Sequence, residues 1–444
     1  MSHPTLTAAE LENSLELASR AQSEWKTSTL EERSVALRRL ADLLRDEVEV
    51  HARRMSLEMG KPIVEARGEI LKCATACEYY ADHVADILAP REVKTEAVES
   101  FIAYEPLGVV LAVMPWNFPF WQVIRFAAPA LAAGNGGLLK HASNVTGSAL
   151  AIQDLIERAG FPVGLFTTLV TENYEQVYQV IADPRVAAVT LTGSEKAGAL
   201  VAEAAGRALK KCVLELGGSD PFVVRADADL DLVVPAAVKA RFMNAGQSCI
   251  CAKRHIVDAS RAESFEFKLL DAVEALQVGD PLEESTQLGP LAKPEFVDDI
   301  DRQVHESIRL GARLVTGGYR LPGPGNFYAP TILADVTPGM PAFDEETFGP
   351  VLVIVKSTDD DDAARLANAT KFGLGASVWS ADREAGLALG RRIESGALFV
   401  NGIVASDPRL PFGGIKHSGY GRELSAEGLR EFTNQRTYWV GDLA

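Results

Sequence analysis

The stretch NAGQSCIC, residues 244–251, sets Cys249 just after a glycine-containing turn that follows a helical pattern. Thirty-four residues earlier, Glu215 closes an apolar, strand-like run in LELGG. A carboxylate at a strand end is placed to face a cleft. A thiol and a carboxylate brought together can form and then hydrolyse a thioester. Taken singly neither residue is specific. Isolated cysteines are more often small buried hydrophobes, and a lone glutamate is more often a cap or an ion-pair partner. A thiol of ordinary pKa, about 8.5, is mostly protonated at neutral pH. Cys249 therefore needs activation by a bound cofactor, by Glu215 or by local dipoles.

Other residues suggest a binding site around this pair. LTGSEKAG, residues 191–198, reads as a strand, a turn bracketed by Gly193 and Gly198, and a helix whose N-terminus can hold a pyrophosphate. There is no G-x-G-x-x-G, and a glycine at a strand end is usually only a turn. Ser143, after the short apolar strand in LLKHAS, reads by itself as a helix cap. Arg125 stands on an apolar helix among Trp121, Val123, Ile124 and Phe126. It needs an anion there, either a ligand's carboxylate or a structural salt bridge. Cys251 reads as a small core residue. The sharper alternative is a labile redox disulfide with Cys249, strained because only Ile250 lies between them.

The elements that must carry these residues are legible as patterns. Thr7 with Glu10 and Thr29 with Glu32 have capping-box spacing ahead of amphipathic helices. A further helix is expected over about 64–88, with Cys73 and Cys77 packed on one face. Short apolar strands such as GVVLAVMP, FTTLVT, AAVTLTGS and KCVLELGG then alternate with helices, which argues an α/β fold with a parallel sheet. Such folds bind ligands at the carboxyl ends of their strands. A second alternating block runs from about 218 to 415, with DLVVPAAVKARFMNAG as a helix. DDDD at 359–362 reads as an exposed helix start. RTYWV near the end is β-prone and lacks an obvious partner, so it and the 92–106 arm suggest strand exchange between subunits.

Bulk properties narrow the class. The chain has 444 residues, a net charge of -17, 47% hydrophobic and 24% charged residues. That suits a multi-lobed globular enzyme and disfavours nucleic acid or anionic membrane as a partner. Five cysteines, Cys73, Cys77, Cys212, Cys249 and Cys251, make no disulfide framework. With no signal-peptide pattern and no long apolar run, a cytoplasmic location is expected.

Six motifs in order decide the matter: PWNFP (115–119), LTGSEKAG (191–198), LELGG (214–218), GQSC (246–249), EETFGPV (345–351) and PFGGIKHSGYGRE (411–423). Their order resembles the aldehyde dehydrogenase superfamily over about residues 10–440. SDPRLPFGGIKHSGYGREL and KHASN resemble its shorter bacterial-type succinic semialdehyde dehydrogenases. The resemblance implies a Rossmann-type cofactor domain (1–91 and 107–217), an α/β catalytic domain (218–425) and a small β oligomerisation arm (92–106 and 426–444), assembled as a homodimer or homotetramer. It implies Cys249 as nucleophile, Glu215 as the base that hydrolyses the thioester, and Asn117 with the Cys249 N–H as oxyanion donors. On its own Asn117 would be read as a turn residue. The cofactor contacts implied are Trp116, Lys140, Ser143, Thr192, Gly193, Ser194, Gly198, Leu216, Glu346 and Phe348, with no metal.

Many NAD-specific members of the family carry Glu where this chain has Ser143. A carboxylate there would repel a 2′-phosphate, so NADP is expected to be preferred and NAD possible. Glu195 replaces the usual Thr of the turn and is expected to point into solvent. For the substrate, the resemblance implies a carboxylated aldehyde held by Arg125 and Ser406, with Arg241 and Arg409 as further contacts. Met243 departs from the longer members, which carry an arginine there. The alternatives are glutarate semialdehyde or a plain aliphatic aldehyde, a catalytically silent structural member, and a CoA-acylating enzyme, against which Glu215 favours water.

Overall fold

The computed structural model describes residues 4–442. Both predicted capping boxes form: Thr7 and Thr29 accept from the backbone N–H of Glu10 and Glu32, whose carboxylates reach back to the cap. They open the helices Ala8–Trp25 and Leu30–Asp46. The helix Ile63–Leu88 follows, with Cys73 and Cys77 fully buried in the core it shares with Trp121–Ala132. Asp359 caps the helix Asp360–Asn368 by accepting from the Asp362 N–H, so the acidic run is a helix start.

Two sheets carry the molecule. The first has six strands in the order Gly419–Tyr420, Lys211–Glu215, Val186–Thr192, Val109–Met114, Gly136–His141 and Phe166–Thr168. All neighbours are parallel except the two-residue edge strand. The second has seven strands in the order Arg313–Thr316, Thr331–Ala334, Val351–Ser357, Ala252–Asp258, Asp220–Val224, Gly375–Trp379 and Ala397–Val400. Its inner strands are buried on both faces, as expected of a parallel sheet covered by helices, while the edge strand Arg313–Thr316 pairs antiparallel and is partly exposed.

Three expectations are corrected. RTYWV does have a partner in its own chain: Thr433–Val440 pairs antiparallel with Glu99–Pro106 along its whole length, and Arg91–Glu92 adds a short third strand. The helix read through to Gly246 ends at Phe242, because Asn244 and Ala245 turn left-handed at φ 53°. The boundary at 425 also moves. Tyr420 and Gly419 pair with Leu214 and Glu215 of the first sheet, and Ser425–Glu431 packs in the core beneath it. This return of the chain brings Glu423 to Arg125.

Candidate active site

Cys249 sits half-buried on a loop locked by neighbouring side chains. The Asn244 N–H donates to Glu65 (2.8 Å), and its amide donates to the carbonyl oxygens of Asn117 (2.8 Å) and Gln247 (3.2 Å). The Gln247 carboxamide accepts from the Ala292 N–H at 2.9 Å. Gly246 has φ +74°, and a Cβ there would lie 2.1 Å from the carbonyl oxygen of Gly349, so only glycine fits. A left-handed alanine at 245 costs about 1–3 kcal/mol, which these bonds must over-determine. Lys253, fully buried, donates to the carbonyl oxygens of Ser248 (3.0 Å) and Cys249 (2.7 Å). Burial pushes the Cys249 thiol up to about 12, while Lys253 and Arg125 pull it back.

Asn117 is 4% exposed and donates one amide hydrogen to the Gln247 carbonyl at 3.1 Å. A primary amide has two N–H groups, so the second is left for an oxyanion. Glu215 ends its strand 2% exposed, with neither carboxylate oxygen hydrogen-bonded. Burial and the nearby Glu423 raise its pKa well above the ordinary carboxylate value; Arg125 and Arg422 oppose this. A carboxyl tuned upward is the usual condition of a general base working near neutral pH.

The implied cofactor residues lie on the loops following the first sheet's strands and on the facing lobe. Ser194 caps Glu195–Arg207 by accepting from the Ala197 N–H (3.3 Å), and the Gly193 N–H donates to the Glu215 carbonyl (3.0 Å). A Cβ at Gly198 would meet Leu216 at 2.5 Å, so glycine is what lets these two pack. Thr192 accepts from Arg125 at 3.3 Å. Glu195 does not simply face solvent: it bonds Lys371 and His417, each at 2.6 Å, tying the helix start to the opposite lobe.

Lys140, Ser143 and Tyr174 line one pocket, with Glu172 also in its wall. Ser143 is exposed and makes no capping hydrogen bond, so the cap reading fails. Lys140 lies over the Tyr174 ring (5.5 Å). Burial and Lys293 depress its pKa, and among the described residues no carboxylate pairs with it. A desolvated ammonium without a counter-ion, beside a neutral serine, fits a phosphorylated ribose. On the far side Trp116 stacks on Phe296 (4.8 Å) and meets Phe348 edge-on (5.8 Å). Glu346 accepts from Lys253 Nζ and from the Gly218 N–H, each at 3.1 Å.

The three arginines offered as substrate contacts are already engaged. Arg125, 2% exposed, is ion-paired with Glu423 and lies against the Phe412 ring at 4.8 Å. Arg241 is fully buried and donates to the carbonyl oxygens of Val351, Thr347 and Gly349, bracing the loop opposite Gly246. Arg409 is exposed and bound to Asp407 (2.6 and 2.8 Å). Arg241 has spent its donors on carbonyl oxygens, while Arg125 and Arg409 are each balanced by a carboxylate of the chain. Ser406 instead meets a cation that the sequence did not single out, accepting from Lys72 at 2.7 Å. Cys251 is fully buried with its sulfur toward the Met243 carbonyl (4.0 Å) and Arg241, which makes it part of the core; all five thiols are free. Among the described residues no cluster of three or more His, Cys, Asp or Glu side chains could hold a metal, and no helix is long and apolar enough to cross a membrane.

A buried carboxylate, a locked thiol loop and an amide donor are groups that covalent acyl transfer could use, and the chain as a whole is similar to known proteins. The model of the Aldehyde dehydrogenase family matches residues 1–438. A probable succinate-semialdehyde dehydrogenase [NADP(+)] of Synechocystis is 52% identical over 431 residues, 97% of this chain and 95% of that one. The succinate semialdehyde dehydrogenase [NAD(P)+] Sad of Escherichia coli is 47% identical over 98% of this chain and 94% of its own. Among solved structures, a succinic semialdehyde dehydrogenase of Streptococcus pyogenes in complex with NADP+ superposes with a TM-score of 0.97 at 39% identity, covering 100% of this chain and 97% of that one. The chain belongs to the aldehyde dehydrogenase family.

Proposed function

We propose that the protein oxidises succinic semialdehyde to succinate, with NADP preferred and NAD accepted. Cys249, as thiolate, attacks the aldehyde carbon. The free Asn117 N–H and the Cys249 backbone N–H hold the resulting oxyanion of the thiohemiacetal, and removing one such donor typically costs about a hundredfold or more in rate. Bound NADP supplies the hydride acceptor that turns the thiohemiacetal into a thioester. Glu215, as carboxylate, then takes a proton from water, and the hydroxide equivalent attacks the acyl carbon. The thioester C–S bond breaks, succinate leaves and Cys249 is regenerated.

The observation that carries the reading is a buried Glu215 whose carboxylate oxygens lack a hydrogen-bond partner, together with the locked Cys249 loop. NADP preference is supported by the uncompensated Lys140 beside exposed Ser143. The printed activities of the relatives support the substrate. We assign residues 433–440 with 91–106 to a β arm that joins subunits in a homodimer or homotetramer, and place the enzyme in the cytoplasm. An aldehyde panel run with NAD and NADP tests the proposal. The expected result is the highest kcat/KM with succinic semialdehyde and NADP; equal efficiency with butanal, or more than tenfold preference for NAD, would overturn it.

A further inference from the structure

The loop that carries Cys249 is held from behind by a carboxylate that takes no part in the chemistry given above. Glu65 lies in the first turn of Ile63–Leu88, where the helix dipole favours a negative charge. Its carboxylate accepts from the Asn244 N–H at 2.8 Å and, among the described residues, makes no other hydrogen bond or ion pair. Asn244 and Ala245 are both left-handed at φ 53°, a conformation that residues other than glycine keep only where their surroundings over-determine it. The Asn244 amide donates to the Asn117 and Gln247 carbonyl oxygens, and the Gln247 carbonyl also accepts from the Asn117 amide. One residue thus links Glu65 to both oxyanion donors, the Asn117 amide and the Cys249 N–H.

Glu65 is half-buried in the wall of a cavity of about 600 Å³ that Val64, Lys239, Phe242, Met243 and Glu284 also line; none of residues 244–250 lines it. Solvent therefore reaches this carboxylate from a side that avoids the reacting groups. The charges around it come from three elements. Glu69, one turn along its own helix, is ion-paired with Lys61, and Arg67 with Glu49 and with Glu284 of the 282–287 segment. Lys239 comes from Leu230–Phe242. Burial pushes the Glu65 carboxyl up to about 7, against the pull of Lys61, the Asn244 N–H and Lys239, and Glu69 adds to the rise. A hydrogen bond to a charged acceptor is about twice as strong as one to a neutral acceptor. The ionised form therefore favours the held loop, and that support is lost as pH falls through about 7.

We propose that Glu65 is a positioning residue for Cys249: its carboxylate holds the Asn244 turn, and with it the thiol and both oxyanion donors, in the reacting arrangement, and a proton taken from the cavity side loosens them. This rests on Cys249 as the nucleophile.

Two measurements test it. In the first, NADPH formation in a single turnover, with enzyme in excess over succinic semialdehyde, is followed against pH in the parent, Glu65→Gln and Glu65→Ala. The glutamine keeps an acceptor for the Asn244 N–H but cannot ionise. The ratio of parent to Glu65→Gln rates cancels the titration of Cys249 and Glu215, which both proteins share. It should rise about tenfold as pH climbs through about 7. Glu65→Ala should be about tenfold to a hundredfold slower than the parent above that pH, the worth of one hydrogen bond to a charged group, and slower than Glu65→Gln, with KM for the aldehyde unchanged. A ratio that is flat with pH overturns the role of Glu65. A parent that forms no NADPH overturns the reading of Cys249 instead.

The second needs neither variant nor substrate. Hydrogen exchange of the peptide carrying residues 244–249 is measured in the parent on either side of about pH 7 and referred to the chemical exchange rate at each pH. Its protection should fall about tenfold on the acid side, while that of the buried strand Val186–Thr192 holds. Equal protection of residues 244–249 at both pH values overturns the proposal even if the Glu65 variants fail to fold.

Discussion

Lys253 donates to the carbonyl oxygen of Cys249 across 2.7 Å, from a position with no exposure to solvent. The contact fixes the peptide plane of the nucleophile and sets a positive charge beside a thiol that burial otherwise pushes up to about 12. Lys253→Met should move Cys249 further up. A raised thiol pKa means less thiolate at any given pH, so the iodoacetamide alkylation profile of Cys249 should shift to higher pH. An unshifted profile would mean the lysine acts on Glu346 alone.

Arg125 is ion-paired with Glu423 and by its charge also favours the ionised form of Glu215. Arg125→Ala leaves two buried carboxylates uncompensated, and losing one partner of a buried pair costs about 3–5 kcal/mol. Chemical denaturation should show that loss, and kcat/KM should fall in the same proportion for succinic semialdehyde and butanal. A loss confined to succinic semialdehyde would return the substrate carboxylate to Arg125.

Ser143 borders the pocket of the uncompensated Lys140. Ser143→Glu places a carboxylate against a 2′-phosphate and should reverse the cofactor preference, by at least tenfold in the kcat/KM ratio, with KM for NADP rising most. A ratio that stays with NADP would place the phosphate elsewhere.

Much of this was legible in the sequence because periodicity and caps are local. The Thr7 and Thr29 boxes, the helix over 63–88 and the alternating strands follow from neighbouring residues. Cys249, Glu215 and Asn117 are not specific singly and stand out only through the ordered motifs that resemble the family. The charge pairing was not legible. Arg125 meets Glu423 only because the chain returns to the first sheet after crossing the second, and Arg241 is spent on carbonyl groups more than a hundred residues away. Lys72 meets Ser406 across 334 residues, a separation that no local pattern encodes. Thr433–Val440 found its partner at Glu99–Pro106 for the same reason.

Asn117→Ala should lower kcat by about a hundredfold to a thousandfold through the oxyanion alone, while substrate binding, read as protection of Cys249 from alkylation, is kept. Loss of both together would point to collapse of the 244–249 loop, which the Asn117 amide braces through the Gln247 carbonyl.

Glu215→Gln separates the two halves of the reaction. Because burial raises its pKa, the parent's steady-state rate should climb with pH through a value above the ordinary carboxylate range, as the base loses its proton. The Gln variant should lose that limb.

The most direct measurement mixes Glu215→Gln with succinic semialdehyde and NADP in a stopped flow and then examines the protein by mass spectrometry. The predicted result is a burst of one NADPH per active site, slow turnover after it, and a succinyl adduct on the peptide carrying Cys249. No burst and an unmodified Cys249, or continued turnover by Cys249→Ala, would contradict covalent catalysis at this cysteine.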